Sequence, residues 1–449
     1  MNSFRLKTDM RLGAADYSSF SSSAETNWTR WYDRGRIRDG TDPSLGTGRI
    51  EHRRADIVML KRLGITTCMV TAEWSCIEPD AEVFDDDAID QLREELILMR
   101  ALGIDPILVI QRFTIPAWFD RFGGWAADEN IRFFLHYTEV LVRSVGHLVS
   151  EYITFDEPNF YAVMGWRAGL WPPGIKNAQQ CSNVLSVLAT AHIQAYSLIH
   201  DVRRFLGFED TKVSFSLRME AFDPLNSRNP LHRTAAALSE RMFMLDPFRA
   251  MAFGKFSGSL KNREKAQNGL FCDFIGMSYY SRVSVTPSGP AVRDRAPKDD
   301  IGQEIYPQGI VRCAQKLSEL CPLPIYITGC GACDALDSFR SRYIYEHLGA
   351  LCLSSLPVER FYYRSFTDCF EDIHGLKARF GLVGIDPVTF ERTVKSCAGF
   401  YSRIIAEGGV SDALYDEFAA GQCYHYMTVR QISEIRKKQE NKESRKSKE

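Results

Sequence analysis

Three absences narrow the reading before any motif is considered. No stretch of the chain approaches the roughly 20 consecutive apolar residues that cross a bilayer, so a membrane span is not expected. Neither sign of charge predominates. Lys and Arg number 55 against 57 Asp and Glu, a formal charge of −2, which removes the electrostatic case for nucleic acid or an anionic membrane as partner. Met1 to Asp9 carry no apolar run behind their basic residues, so no secretory signal is expected there. The 12 cysteines are scattered rather than gathered into a small framework. In a signal-less chain that pattern implies reduced thiols and a cytoplasmic protein. The pair Cys330 and Cys333 forms a lone C-x-x-C without a second pair or histidines, so neither a metal nor another cofactor is expected.

Nothing rich in Pro or Ser divides the chain, and no short-period repeat is present. One large domain over 1–435 follows, with a charged tail over 436–449 that lacks any apolar residue and reads as disordered. What the chain does contain is alternation of strand and helix. Short apolar or β-branched runs recur at Leu12–Asp16, Cys68–Trp74, Pro106–Gln111, Tyr152–Phe155, Lys212–Leu217, Phe274–Tyr280, Ile325–Gly329 and Phe361–Phe366. Between them lie segments with apolar residues at helical spacing, such as Ala55–Leu63, Ile89–Leu102, Ile131–Leu148 and Val184–Leu206. A further helical segment spans Thr234–Met244. Eight strand–helix units imply an α/β protein with a single closed (β/α)8 TIM barrel.

Reacting groups in such a barrel sit at the C-terminal ends of the strands. The fourth strand ends in Tyr152-Ile153-Thr154-Phe155-Asp156-Glu157-Pro158 and the seventh in Ile325-Tyr326-Ile327-Thr328-Gly329-Cys330-Gly331. These segments resemble the TFNEP and ITENG signatures of family 1 glycoside hydrolases, the β-glucosidases and their relatives. Leu12-Gly13-Ala14-Ala15 is similar to the family's opening WGAATS strand, and Glu73-Trp74-Ser75 to its AWSR. Gly123-Gly124-Trp125, Leu245-Asp246-Pro247, Ser278-Tyr279-Tyr280, Ile305-Tyr306-Pro307 and Arg379-Phe380-Gly381-Leu382 resemble GGW, LDP, NYY, IYP and RFGL in turn. The resemblance runs nearly end to end.

Retaining hydrolysis needs two carboxyls about 5–5.5 Å apart, one attacking the anomeric carbon and one shuttling the leaving-group proton. By resemblance Glu157 holds the acid/base position, while Gly329 stands where the nucleophilic glutamate belongs. The resemblance also implies that Tyr280 lies beside the nucleophile and that Glu371 binds sugar hydroxyls. Departures gather at the positions that grip the sugar. Phe20 replaces a glutamine, Arg112 and Phe113 replace the histidine and tryptophan of HWDLP, and Asp156 replaces the asparagine of NEP. Arg364 and Asp372 replace the two tryptophans of WSLLDNFEW, and Met69 replaces the arginine that supports the nucleophile.

Each surviving residue also has a plain structural reading. Glu157 could serve as a hydrogen-bonded acid at a strand end, Glu371 as an arginine's partner, and Tyr280 as a core aromatic. The resemblance therefore implies a β-glucosidase-like O-glycosyl hydrolase homologue of carbohydrate metabolism in which retaining hydrolysis is lost or strongly impaired. Two alternatives stay open: an active glycosidase or transglycosidase on an unusual β-glycoside with a substitute base or nucleophile, and a non-catalytic carbohydrate- or protein-binding barrel. Either way the expected partner is a β-glycoside or other small ligand in the barrel mouth. Because buried charges persist only when paired, arginine–aspartate pairs are expected to fill the sugar position, Arg112 with Asp156 and Arg364 with Asp372.

Overall fold

A computed structural model of the chain describes residues 2–16, 24–45, 49–262 and 268–426. Phe20 and the tail 436–449 lie outside the described residues. Eight parallel strands form the centre: β1 (Arg11–Asp16), β2 (Thr67–Thr71), β3 (Asp105–Gln111), β4 (Glu151–Asp156), β5 (Lys212–Pro224), β6 (Ile275–Thr286), β7 (Ile325–Cys330) and β8 (Val358–Arg364). Each pairs with the next, β8 pairs with β1, and the ring closes, as the strand–helix alternation predicts.

The period of two along each strand sends alternate side chains to two separate cores. Ile107 and Val109 of β3 point inward with Ala15, Met69, Ile153, Tyr326 and Tyr362. Leu108 and Ile110 point outward into the larger layer beneath the helices. That outer layer is covered by α1 (Arg49–Arg62), α2 (Asp86–Ala101), α3 (Ile131–Val145), α4 (Ala178–Phe205), α5 (Asp246–Phe253), α6 (Gln308–Leu320), α7 (Arg340–Cys352) and α8 (Ser396–Glu407). Side-chain caps start several of them: Asp85 accepts from the Ala88 amide at 3.0 Å and Asn177 from Gln179 and Gln180. Gly64 (φ 76°) and Gly103 (φ 71°) end α1 and α2 in the left-handed conformation that glycine adopts without penalty.

Strand ends differ from the sequence-based expectation for physical reasons. β2 stops at Thr71 because Trp74 begins a helical turn, buried in an aromatic cluster with Trp118, Phe119, Trp125 and Tyr137. β5 and β6 run past the barrel as a two-stranded arm, still paired at Pro224 and Val285 and capped by the antiparallel strand Gly289–Ala291. The expected helix over Thr234–Met244 starts earlier, at Pro230, and ends at Glu240 in a wider π turn, Arg241–Leu245. No helix among the described residues is long and apolar enough to cross a membrane. No disulfide links any of the 12 cysteines, all of which lie among the described residues.

Candidate functional site

Among the non-glycine residues with left-handed backbone are Phe113 after β3 (φ 46°), Glu157 after β4 (φ 54°) and Asp372 in the loop after β8 (φ 45°). L-residues avoid this conformation, and it gathers at functional sites when the surrounding structure over-determines it. Glu157 is held there by its own amide, which donates to the Ser216 carbonyl at 2.8 Å. Its carbonyl then accepts from Phe160 and Tyr161 at the start of the next helical turn. The turn is fixed by Asn159, which exchanges hydrogen bonds with the backbone of Arg218 at 2.8 and 3.1 Å.

At the end of β7 the register slips. Ile327 faces Met277 of β6, yet Gly329, two residues on, faces the adjacent Ser278. This bulge leaves Thr328 turned inward, its hydroxyl 2.6 Å from that of Ser216. Cys330 is turned outward, 3.4 Å from the Tyr343 hydroxyl of α7. Gly329 itself is buried and offers no side chain. Ser278, its neighbour across the sheet, donates its hydroxyl to Glu157 Oε1 at 2.5 Å. The fourth-strand glutamate is thus bonded to a strand-six serine beside the position that the resemblance assigns to the second carboxylate.

A ring of buried charge surrounds Glu157. Arg112 Nε lies 3.0 Å from Asp156 Oδ2, with the two side chains 3% and 0% exposed, as expected. Arg364 departs from expectation: its guanidinium bonds Glu371, not Asp372. Asp372 has left-handed backbone and feels the field of Arg364 without bonding it, and its Oδ1 is buried without a hydrogen-bond partner. Arg218 bonds Glu220 at 3.1 Å, and its guanidinium carbon lies 3.8 Å from the Phe160 ring centroid and 4.9 Å from that of Tyr280. The Tyr280 ring also lies under Arg364 at 5.2 Å, and its hydroxyl has no hydrogen-bond partner. Phe113 is a wall rather than an open platform: its ring carries the Arg112 guanidinium at 4.1 Å and packs on Trp171 at 4.7 Å.

These contacts set the protonation states. Burial pushes the Glu157 carboxyl up, but the fields of Arg218, Arg364 and Arg112 and the Ser278 hydrogen bond outweigh it and leave its pKa below the usual value. Asp156 moves the other way, to about 6, because burial and the adjacent Glu157 charge exceed the pull of Arg112. Burial also raises Glu220, Glu371 and Asp372 despite the nearby arginines. Glu371 has a second partner in the Cys369 thiol, at 3.3 Å from its Oε1. Among the described residues, no group of three His, Cys, Asp or Glu side chains is placed to hold a metal ion. Cys330 is ill-suited to nucleophilic attack, since burial raises its thiol to about 12 and its sulfur faces the helices.

A model of the family described as glycosyl hydrolase family 1 matches residues 24–410. The chain belongs to that family. Among curated family 1 relatives, the galactolipid galactosyltransferase SFR2 of Arabidopsis thaliana is 23% identical over 79% of this chain. The alignments span 57% of that protein's length and 57% of its rice counterpart's, so the chain covers little more than half of these two relatives. β-Glucosidase A of Thermotoga maritima is 24% identical, over 84% of this chain and 91% of its own. Among solved structures, the β-glycosidase from Pyrococcus horikoshii superposes with a TM-score of 0.82 at 26% identity, covering 94% of this chain and 99% of that one.

Within this family 1 barrel, the structure brings together Arg112, Asp156, Glu157, Tyr280, Arg364 and Glu371. Arg218, Glu220 and Ser278 were missed. The signal for the first two was present in β5, where Ser214, Ser216, Arg218 and Glu220 alternate with Val213, Phe215, Leu217 and Met219. That polar face of period two is the barrel interior.

Proposed function

We propose that this chain is a family 1 barrel in which retaining β-glycoside hydrolysis has been lost and the former reaction centre has become a paired, buried charge cluster. One observation carries the reading: Glu157 is a carboxylate bonded to Ser278, and the strand neighbour of Ser278 is Gly329, which offers no second carboxyl. A general acid must hold a proton at the working pH, and glycosidases raise that carboxyl's pKa to keep it. Here three arginines lower it. The floor of the barrel agrees, because Met69 is packed among Ala15, Ile107 and Tyr326 where a cation would be needed beside a nucleophile. Such a protein fits a non-catalytic role in binding carbohydrate or a partner.

A second reading is favoured by the opposed directions of the carboxyl pKa values. Glu157 is held charged while Glu371 and Asp372 are pushed toward the neutral form, and split acidities of this kind mark acid–base pairs. Hydrolysis by inversion, or transfer to another sugar, would use Glu157 as base. A galactosyltransferase among the relatives gives that reading some support. Purified protein incubated with 4-nitrophenyl β-glucoside and β-galactoside, with and without azide or formate, tests both. The first reading predicts background release of nitrophenol in every condition. Steady turnover abolished by Glu157→Gln would establish the second instead.

A further inference from the structure

The feet of β6 and β7 hold two thiols in contact. Cys272 stands just before β6, and Cys321 closes the C-terminal end of α6 just before β7. Their side chains are hydrogen-bonded to each other, with Cys272 as donor and Cys321 as acceptor. Both residues are buried, 1% and 2% exposed, at the N-terminal ends of the strands and away from Glu157.

The backbone on both sides fixes this contact. Asp273 accepts from the Tyr196 hydroxyl at 2.9 Å and the Val213 amide at 2.7 Å, and bonds His200 at 2.9 Å. Phe271 is held from α5 and α4, its amide donating to Ala252 O at 2.9 Å and its carbonyl lying 2.8 Å from His192 Nε2. Cys272, between two anchored residues, therefore has little freedom to turn from its partner. On the other strand, the Cys321 amide donates to Leu317 O and the Leu323 amide to Cys321 O, each at 2.9 Å. The Ile275 amide donates to Pro324 O at 2.8 Å, and Ile275 pairs with Ile325, so the two feet lie side by side. Neighbouring strands are about 4.8 Å apart, inside the roughly 4.4–6.8 Å between Cα atoms that a disulfide spans.

A buried cysteine by itself is a small apolar side chain. Two whose sulfurs meet between adjacent strand feet are placed to bond covalently without moving the chain. The hydrogen bond divides their roles. Sharing its proton with Cys321 pushes the Cys272 thiol up, and burial adds to this; accepting that proton holds Cys321 below the usual thiol value. Cys321 is thus the attacking sulfur and Cys272 the resolving one. Burial excludes a bulky oxidant such as glutathione disulfide and favours one as small as hydrogen peroxide. We propose that Cys272 and Cys321 are a peroxide-sensitive thiol pair whose disulfide clamps the feet of β6 and β7. The Cys321 thiolate attacks one peroxide oxygen, the O–O bond breaks, and hydroxide leaves as the sulfenic acid forms. Cys272 then attacks that sulfur; the S–S bond forms, the S–O bond breaks, and the Cys272 proton leaves with the oxygen as water. Two thiols are oxidised, and one peroxide is reduced to two waters. Closing the chain between residues 272 and 321 removes freedom from the unfolded state, so the oxidised barrel resists unfolding more than the reduced one. The proposal does not depend on whether Glu157 retains any activity.

The test uses the full chain carrying Cys423→Ser, since Cys423 is the exposed thiol. Reduced protein, freed of reductant, is treated under native conditions with rising hydrogen peroxide, blocked with N-ethylmaleimide and mapped by non-reducing peptide mass spectrometry. A peptide linking Cys272 to Cys321 is expected before any other disulfide, and dithiothreitol should reverse it. The linked form should unfold in urea with an equilibrium constant lower by roughly 10²–10³-fold. Cys272→Ala and Cys321→Ala should each abolish the linkage and the shift. Dimedone, which traps sulfenic acids, should label Cys321 in Cys272→Ala and leave Cys272 unlabelled in Cys321→Ala. If either variant does not fold, the peptide map and urea curves of the parent protein decide. Absence of the linkage in native protein, or its appearance only in urea, overturns the proposal. So does a disulfide formed first at other cysteines, or a linked form no more stable than the reduced one. Dimedone labelling of Cys272 rather than Cys321 overturns the assigned roles.

Discussion

Removing Arg112 is the sharpest perturbation of the charge cluster, because its partner has no water to turn to. Asp156 is 0% exposed in its side chain, and its Oδ2 takes the Arg112 Nε–H at 3.0 Å. Arg112→Ala strands that carboxylate and also uncovers the Phe113 ring on which the guanidinium rests. Breaking a buried ion pair in this one-sided way costs about 3–5 kcal/mol. The cost has a pH signature. The folded pKa of Asp156, about 6, lies above its ordinary value of 3.8, so the folded state takes the proton first. Its ionisation therefore opposes folding as pH rises through 6, and that opposition fades as pH falls toward 4. Without Arg112 the pKa climbs further and the opposition grows. The full penalty is thus expected at pH 8, and a smaller one at pH 5, where the Asp156 carboxyl is already protonated in the wild type. Urea unfolding followed by tryptophan fluorescence at the two pH values measures both. Replacing the pair together, Arg112→Met with Asp156→Leu, should recover most of the loss, since a well-packed apolar pair often matches a buried ionic one. A cost for Arg112→Ala below about 1 kcal/mol at pH 8, or the same cost at both pH values, would show that water reaches the pair and refute the argument.

Gly329→Glu should leave hydrolysis of 4-nitrophenyl β-glucoside at background, because Met69 offers the new carboxylate no cation and Ser278 already holds Glu157; turnover approaching that of an ordinary β-glucosidase would refute this. Arg218→Met should raise the Glu157 pKa, since Arg218 is the strongest of the three arginines that lower it. Carbon-13 NMR of the labelled carboxyl checks this, and an unchanged titration would count against the arginine ring as the cause. His347 is fully buried, its Nε2 has no partner, and burial depresses its pKa to about 4. A histidine of this kind costs stability as pH falls from 6.5 toward 4, because the unfolded chain binds the proton and the folded one does not. His347→Phe should therefore change stability at pH 8 by no more than about 1 kcal/mol and flatten the decline between pH 6.5 and 4; an unaltered pH profile in thermal melts would refute the assignment. Gly174→Ala should lower the melting temperature, because φ is 84° there and a Cβ would lie 2.6 Å from the Trp31 ring; an unchanged melting temperature would show that the ring moves freely.

The barrel was legible in the sequence because its information is local. Each strand is a short apolar run, each helix a period of 3.6, and the glycines after α1 and α2 mark where one gives way to the next. The charge cluster was legible in its membership and less so in its partners. Arg112 and Asp156 end neighbouring strands, so their pairing follows from strand order alone. Arg364 and Asp372 are joined by a loop, and within it Arg364 bonds Glu371, a choice between adjacent acids that strand order does not reveal. Arg218 and Glu220 escaped because no family signature passes through them, although the alternation in β5 exposes them to a reader who asks which face is polar. The bulge at Thr328–Gly329 left no mark at all, since it depends on how three strands register at the end of the barrel.

The excess of acids over bases around Glu157 has a thermodynamic consequence outside the fold. Five carboxyls (Asp156, Glu157, Glu220, Glu371 and Asp372) share the fields of three arginines. Four of the five have their pKa values raised, and only Glu157 is held down. Collapse of the chain into the barrel therefore draws hydrogen ions out of solution wherever those raised values approach the ambient pH. Calorimetric heats of unfolding near pH 6 will then contain the heat of protonating whichever buffer receives the released ions, so cacodylate and imidazole will report different enthalpies for the same transition.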